Sequence, residues 1–249
     1  MRSRRLLSCI VLLSLASAVI VARSEQPVQG PIDRLKAGNE RFVRDPGAPL
    51  PITPEKRQAQ LKGQSPFAII ASCSDSRVPT EVIFNVGLGD LFIIRTAGEV
   101  MDKAALASIE YGAEHLHSPL LVVMGHEACG AVKATLESKP GGPSMGPNLD
   151  ALVAAIRPGF ARMEVSADLE HLREAIFANV EQVINDIFSK SEIVKHLAGS
   201  GQLQVVGAFY ELSTGRVRFS EPVAAPKTAD AVHKAADPAY RAADPADHR

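Results

Sequence analysis

Apolar residues along this chain fall into two kinds of run that alternate. Residues 67–73, ending at Cys73, are almost continuously apolar, as expected of a strand buried on both faces of a sheet. Residues 91–95, 120–124 and 203–209 repeat that pattern. Between them, 103–115, 131–136, 149–163 and 169–188 mix apolar and charged positions at helical spacing. Upstream, Pro31 opens a stretch with Ile32, Leu35, Phe42 and Val43 set among charges, which predicts an amphipathic helix over 32–43. A proline-rich linker over 46–54 and a short helix over 55–61 follow.

Strands that alternate with helices pair in parallel through right-handed crossovers. Residues 211–216 read as a tight turn into 217–219, an antiparallel edge strand. The expected fold class is therefore α/β: a mostly parallel sheet with an antiparallel edge strand, flanked by helices. Ligands in such open sheets bind beyond the carboxyl ends of the strands.

The two ends of the chain read differently from its middle. Arg2, Arg4 and Arg5 precede an apolar run from Leu6 and the small residues Ala16, Ser17 and Ala18, the three regions of a secretory signal. Residues 1–22 are therefore expected to direct export to the periplasm, by the Sec route in preference to the twin-arginine route that Arg4 and Arg5 also suggest. An uncleaved anchor is the competing reading, but three serines interrupt the apolar span and it is slightly short for a bilayer. No stable membrane span is expected after cleavage. Residues 31–221 form the expected folded domain. Over 222–249 the composition shifts to Ala, Asp, Pro and Lys, with one five-residue sequence at Ala235 and again at Ala242, and this tail is expected not to fold alone.

With 249 residues, 46% of them hydrophobic and 22% charged, the chain can bury one good-sized core. A net charge of -1, with no basic cluster beyond the first residues, gives no footprint for nucleic acid.

Chemistry concentrates at two strand ends. Cys73, Asp75 and Arg77 alternate just after the first apolar run, and His126 and Cys129 follow the third. Residues two apart in an extended segment point the same way, which would turn Asp75 and Arg77 toward the side that Cys73 faces. Cys129 falls where the next helix begins, a position that favours a thiolate. Three soft ligands on two segments fit a catalytic zinc site, which keeps its fourth position for water, whereas a structural site takes four protein ligands. His115 and His117 cannot supply a fourth, because the intervening strand puts His117 about 30 Å from His126. His171, His196, His233 and His248 read as surface histidines. After export and cleavage only Cys73 and Cys129 remain, so a disulfide between them is an alternative, but it would explain neither His126 nor the Asp75 and Arg77 pair.

Cys73-Ser-Asp-Ser-Arg77, Arg95-Thr-Ala-Gly98, Ile109-Glu-Tyr111 and Gly125-His-Glu-Ala-Cys-Gly130, in this order, resemble the β-class carbonic anhydrases over about residues 33 to 220. The resemblance implies that Cys73, His126 and Cys129 bind one Zn2+ per subunit and that Asp75 and Arg77 form a catalytic dyad. It also implies a homodimer or higher even oligomer with the pocket at the subunit interface. The activity implied is reversible hydration of CO2 to bicarbonate and a proton by a zinc-bound hydroxide. Zinc lowers the pKa of bound water from about 15.7 toward roughly 7. Two thiolates cancel the formal zinc charge, so activity should favour mildly alkaline conditions. Hydrolysis of carbonyl sulfide or carbon disulfide on the same site, and a non-catalytic zinc scaffold, are the alternatives.

Relatives with an open active site carry a glutamine, an aromatic residue and a tyrosine that align with Gln64, Phe92 and Tyr111, and Gly130 joins these in the implied substrate pocket. Relatives regulated by bicarbonate in a second pocket use a tryptophan there, and this chain has none. The open form is therefore expected, with Asp75 reaching zinc only in a closed state. Phe92 could instead be a core aromatic of its strand.

Overall fold

A computed structural model describes residues 30–139, 141–160, 163 and 169–226. The expected export signal and the tail from residue 227 lie outside the described residues. In chain order the elements are α1 (Pro31–Arg44), α2 (Pro54–Ala59), β1 (Ala68–Cys73), α3 (Thr80–Ile83), β2 (Leu91–Thr96), α4 (Lys103–Glu110), β3 (Leu120–His126), α5 (Gly130–Glu137), α6 (Pro147–Ile156), α7 (Leu169–Lys190), α8 (Glu192–Gly199), β4 (Gln204–Tyr210) and β5 (Val217–Phe219).

The five strands form one sheet in the order β2-β1-β3-β4-β5. All neighbouring pairs are parallel except β4 with β5, which is the expected fold class. The chain leaves β1 to one side for β2 and returns on the other side for β3. That reversal opens a crevice between the carboxyl ends of β1 and β3, where Cys73 and His126 lie.

Burial follows strand periodicity. Ile69, Ala71, Leu121, Val123 and Val205 face a core shared with α4, α7 and α8, while Ala68, Ile70, Leu120, Val122, Met124 and Val206 face the layer of α1 and α3. Each strand therefore feeds two cores, which explains the nearly continuous apolar runs of β1 and β3. A third cluster caps the carboxyl end of the sheet and joins Cys73 and Cys129 to Val132, Ile156, Ile176, Phe177 and Phe209.

On the α1 side, Asn39 ties three segments together. Its Nδ2 donates to Ile83 O and Gly215 O at 3.2 and 2.8 Å, and its Oδ1 accepts from Val217 N at 2.9 Å. One residue earlier α1 comes so close to the end of α3 that a Cβ on Gly38 would lie 1.8 Å from Phe84 O.

Several expectations are revised. β2 is an edge strand, and Leu91, Phe92 and Ile93 are only partly buried, so its apolar run does not mark a strand covered on both faces. The helix expected over 103–115 stays α-helical to Glu110 and then widens into a π turn over Tyr111–His115. The helix expected over 149–163 begins at Pro147 and gives way after Ile156 to a 3-10 turn containing Pro158, whose ring removes a helical donor. Beyond β5, Val223 N donates to Val205 O at 2.8 Å, and Val223 and Ala225 pack on the core, so the packed chain runs past residue 221.

Candidate metal centre

Cys73 is the last residue of β1 and His126 the last of β3, while Cys129 caps the amino end of α5. Ala128 takes a left-handed conformation, φ 55°, and this tight reversal brings Cys129 back toward His126. One ligand atom from each of the three residues lies within 4.8 Å of the others, and all three residues are buried. Both cysteines are free, so the disulfide alternative is not what the structure holds.

The donor set fits zinc. His126 Nδ1 lies 2.9 Å from Glu127 O, which makes Nδ1 the protonated nitrogen and leaves the Nε2 lone pair facing the cysteines. His126 Nε2 is buried with no hydrogen-bond partner, as a nitrogen reserved for a metal would be. A hydrogen bond from Cys129 draws the Cys73 pKa down to about 4, and the same contact, with burial, pushes the Cys129 thiol up. Burial opposes a charged His126 imidazole, but the adjoining Cys73 sulfur, together with Glu99 and the Glu127 carbonyl, outweighs it and moves the His126 pKa up. Two sulfurs and an imidazole nitrogen converging in a buried pocket are a donor set that suits a soft divalent cation.

Asp75 and Arg77 do meet beside these ligands, but not by extended alternation. The chain turns at once, with Val78 N donating to Asp75 O at 3.0 Å and Arg77 N donating to Asp75 Oδ1 at 2.9 Å. This turn folds the guanidinium back onto the carboxylate. Arg77 Nε donates to Oδ1 at 2.9 Å and Nη2 to Oδ2 at 2.7 Å, the paired geometry in which a planar guanidinium matches a carboxylate. Arg77 Nη2 also donates to Ala128 O at 3.3 Å, which links the pair to the His126–Cys129 loop. The Arg77 hydrogen bonds hold the Asp75 carboxyl well below the usual carboxylate range. Arg95 fastens the same corner, donating from Nε to Cys73 O at 2.9 Å and from Nη2 to Asp75 O.

The expected pocket residues do not all gather here. Gly130 begins α5 beside Cys129 and a Cβ there would meet nothing, so the backbone at that point borders open space. Phe92 and Tyr111 meet each other, with ring centroids 6.1 Å apart. Phe92 pairs in register with Ile69, however, and Thr96 with Cys73. Four residues of strand place Phe92 about 13 Å along the sheet from the metal ligands. Gln64 is exposed in the loop before β1. Within one subunit these three side chains do not form a common pocket with Cys73, His126 and Cys129.

Two further residues belong to the centre: Gly98, which the sequence marks only as the end of the Arg95-Thr-Ala-Gly98 motif, and Glu99, which carries no sequence signal. Gly98 N donates to Cys73 Sγ at 3.4 Å from a turn in which Gly98 and Glu99 have φ of 60° and 46°. A Cβ on Gly98 would lie 2.7 Å from Ile156 Cδ1, so both conformation and space call for glycine. Glu99 has no such freedom, and a left-handed non-glycine residue costs roughly 1 kcal/mol or more. It is fully buried, and Asn179 Nδ2 donates to its Oε1 at 2.9 Å. Burial raises the Glu99 pKa to about 8, with the Cys73 thiolate adding to the shift.

Comparison with known proteins agrees with this geometry. The carbonic anhydrase family model matches residues 68–217. Carbonic anhydrase 2 of Mycobacterium tuberculosis H37Rv is 37% identical over 182 residues, covering 73% of this chain and 87% of that one. A β-carbonic anhydrase of Aspergillus fumigatus superposes with a TM-score of 0.60 at 27% identity, covering 68% of this chain and 81% of that one. The β-carbonic anhydrase of Coccomyxa gives a TM-score of 0.62 at 25% identity, with coverage of 76% and 84%. The chain belongs to the carbonic anhydrase family, and its fold is that of the β class.

Proposed function

We propose that this protein is a zinc enzyme that interconverts CO2 and bicarbonate, with release or uptake of a proton. The observation that carries the reading is the convergence of Cys73, His126 and Cys129 within 4.8 Å, with the Asp75 carboxylate 3.9 Å from His126 Nε2. Cys73 and Cys129 as thiolates and His126 through Nε2 would hold the ion. When bound, zinc supplies a water activated as a nucleophile near neutral pH.

The remaining chemistry falls to side chains of this chain. Asp75 is ionised across the working range and has an oxygen beside the ligand set, where it accepts a hydrogen bond from the attacking water and aims its lone pair at the carbon of CO2. Arg77 fixes the carboxylate plane and, by occupying both oxygens, keeps Asp75 from swinging onto the metal. This pairing supports the open form.

The active assembly is a homodimer or a higher even oligomer. Support comes from β2, an edge strand whose Leu91, Phe92 and Ile93 are incompletely covered, and from Tyr111, 48% exposed beside Phe92. An uncovered apolar edge invites pairing, and a pocket that lacks its aromatic wall in one subunit can take it from another. Gln64, Phe92 and Tyr111 are accordingly assigned to a substrate pocket built across the interface. The composition of residues 1–22 supports export to the periplasm.

Stopped-flow CO2 hydration by the purified protein beside Asp75→Ala tests the reading. The parent should be active and the variant slower by about a hundredfold or more. A parent no faster than buffer would overturn it.

A further inference from the structure

Asn179 lies mid-way along α7 and is fully buried, on the helix face that also carries Ile176 and Val183 into the interior. Its amide nitrogen has two hydrogens and applies both to one turn. Nδ2 donates to Gly98 O at 2.9 Å and to Glu99 Oε1 at 2.9 Å. Those residues are consecutive, both are left-handed, and the first of them donates its N–H to Cys73 Sγ at 3.4 Å. Gly98 is thus gripped through its carbonyl and aimed through its amide.

An N–H directed at a thiolate draws charge from the sulfur, and such outer contacts both orient a ligand and set how strongly it donates to a metal. The turn cannot drift without changing that contact, because its conformation is unfavourable for Glu99 and is held from outside. We propose that Asn179 is a positioning residue for the metal centre: it locks the Gly98–Glu99 turn so that the Gly98 amide stays hydrogen-bonded to the Cys73 sulfur. The proposal rests on the reading of Cys73 as a metal ligand. It extends the centre to a helix contributed from about eighty residues further along the chain.

The test uses the whole protein loaded with cadmium-113 and observed by proton NMR. If Cys73 binds the metal, its Cβ protons couple to cadmium, and the Gly98 amide proton should show a smaller coupling carried through Sγ. Asn179→Leu should lose the Gly98 coupling and keep the Cys73 one. Glu99→Gln, which retains an oxygen to accept from Asn179, should keep both. Cobalt(II) gives a second readout: losing the N–H contact makes the sulfur more electron-rich, so the sulfur-to-cobalt charge-transfer band should move to lower energy in Asn179→Leu and hold its place in Glu99→Gln. Should Asn179→Leu fail to fold, Asn179→Ala replaces it, removing the amide donor with a smaller side chain, with the same expected loss. Absent Cys73 coupling in the parent would defeat the metal-ligand reading. Cys73 coupling without a Gly98 coupling, a Gly98 coupling that survives in the position 179 variant, or its loss in Glu99→Gln would overturn the role of Asn179 alone.

Discussion

Asp75 Oδ2 lies 3.9 Å from His126 Nε2, so the carboxylate of one strand end stands beside the ligand nitrogen of another. Only its pairing with Arg77 turns it away from a metal held there. Arg77→Ala should lower the CO2 hydration rate constant roughly 10- to 100-fold, the usual range for an outer partner of a metal site. Arg77→Lys should recover little, because an ammonium cannot make the two parallel contacts seen at 2.9 and 2.7 Å. Stopped-flow kcat/KM on both variants is the check, and full recovery by lysine would contradict the positioning argument.

Cys73 and Cys129 are buried free thiols whose sulfurs face a shared site. Thiolates bound to a metal are protected from reagents, so the folded protein with its metal should react slowly with a thiol-specific dye. Removal of the metal by a chelator should expose both groups together. A colorimetric thiol count before and after chelation measures this, and equal counts would contradict it.

Burial raises the Glu99 pKa from 4.5 to about 8. Between those values the unfolded chain has released a proton that the folded chain keeps, so stability declines as pH rises through the window. Glu99→Gln carries no such proton. Measured on metal-free protein by denaturant titration, its stability relative to the parent should improve by a few kcal/mol between about pH 5 and pH 9. A pH-independent difference would show that Glu99 does not titrate in this way.

Phe92 and Tyr111 lie together on the incompletely covered edge of the sheet. If that edge is where subunits meet, Tyr111→Arg should weaken the assembly and reduce activity together, while the secondary structure measured by circular dichroism stays unchanged. Sedimentation velocity across a dilution series reads the first effect. An assembly as tight as the parent's would place the interface elsewhere.

The strands and the three ligand residues are legible in the sequence because each rests on local pattern. Residues 67–73, Ser72 apart, and 120–124 are apolar because both faces of β1 and β3 are covered, and that same coverage puts Cys73 and His126 at adjoining strand ends. The pairing of Asp75 with Arg77 could be expected from spacing, but its cause could not, because a turn closed by the Asp75 side chain looks identical in sequence to an extended stretch. Phe92 and Tyr111 could be found by resemblance alone, and their distance from the ligands follows from strand register. Asn179 is the instructive omission. It shares a helical face with Leu172, Ile176 and Val183, so a polar residue sits where the periodicity demands an apolar one. That mismatch is a readable signal of a buried polar partner, but the partner, Glu99, is 80 residues away and no local rule connects them.

The most direct test of the central claim is metal dependence of CO2 hydration in the purified protein. Stripped of metal by a chelator and dialysed, it should lose activity and regain it as zinc is added, with the titration breaking at one zinc per chain. Undiminished hydration by demonstrably metal-free protein, or no recovery in protein that has bound zinc and kept its fold, would contradict the account.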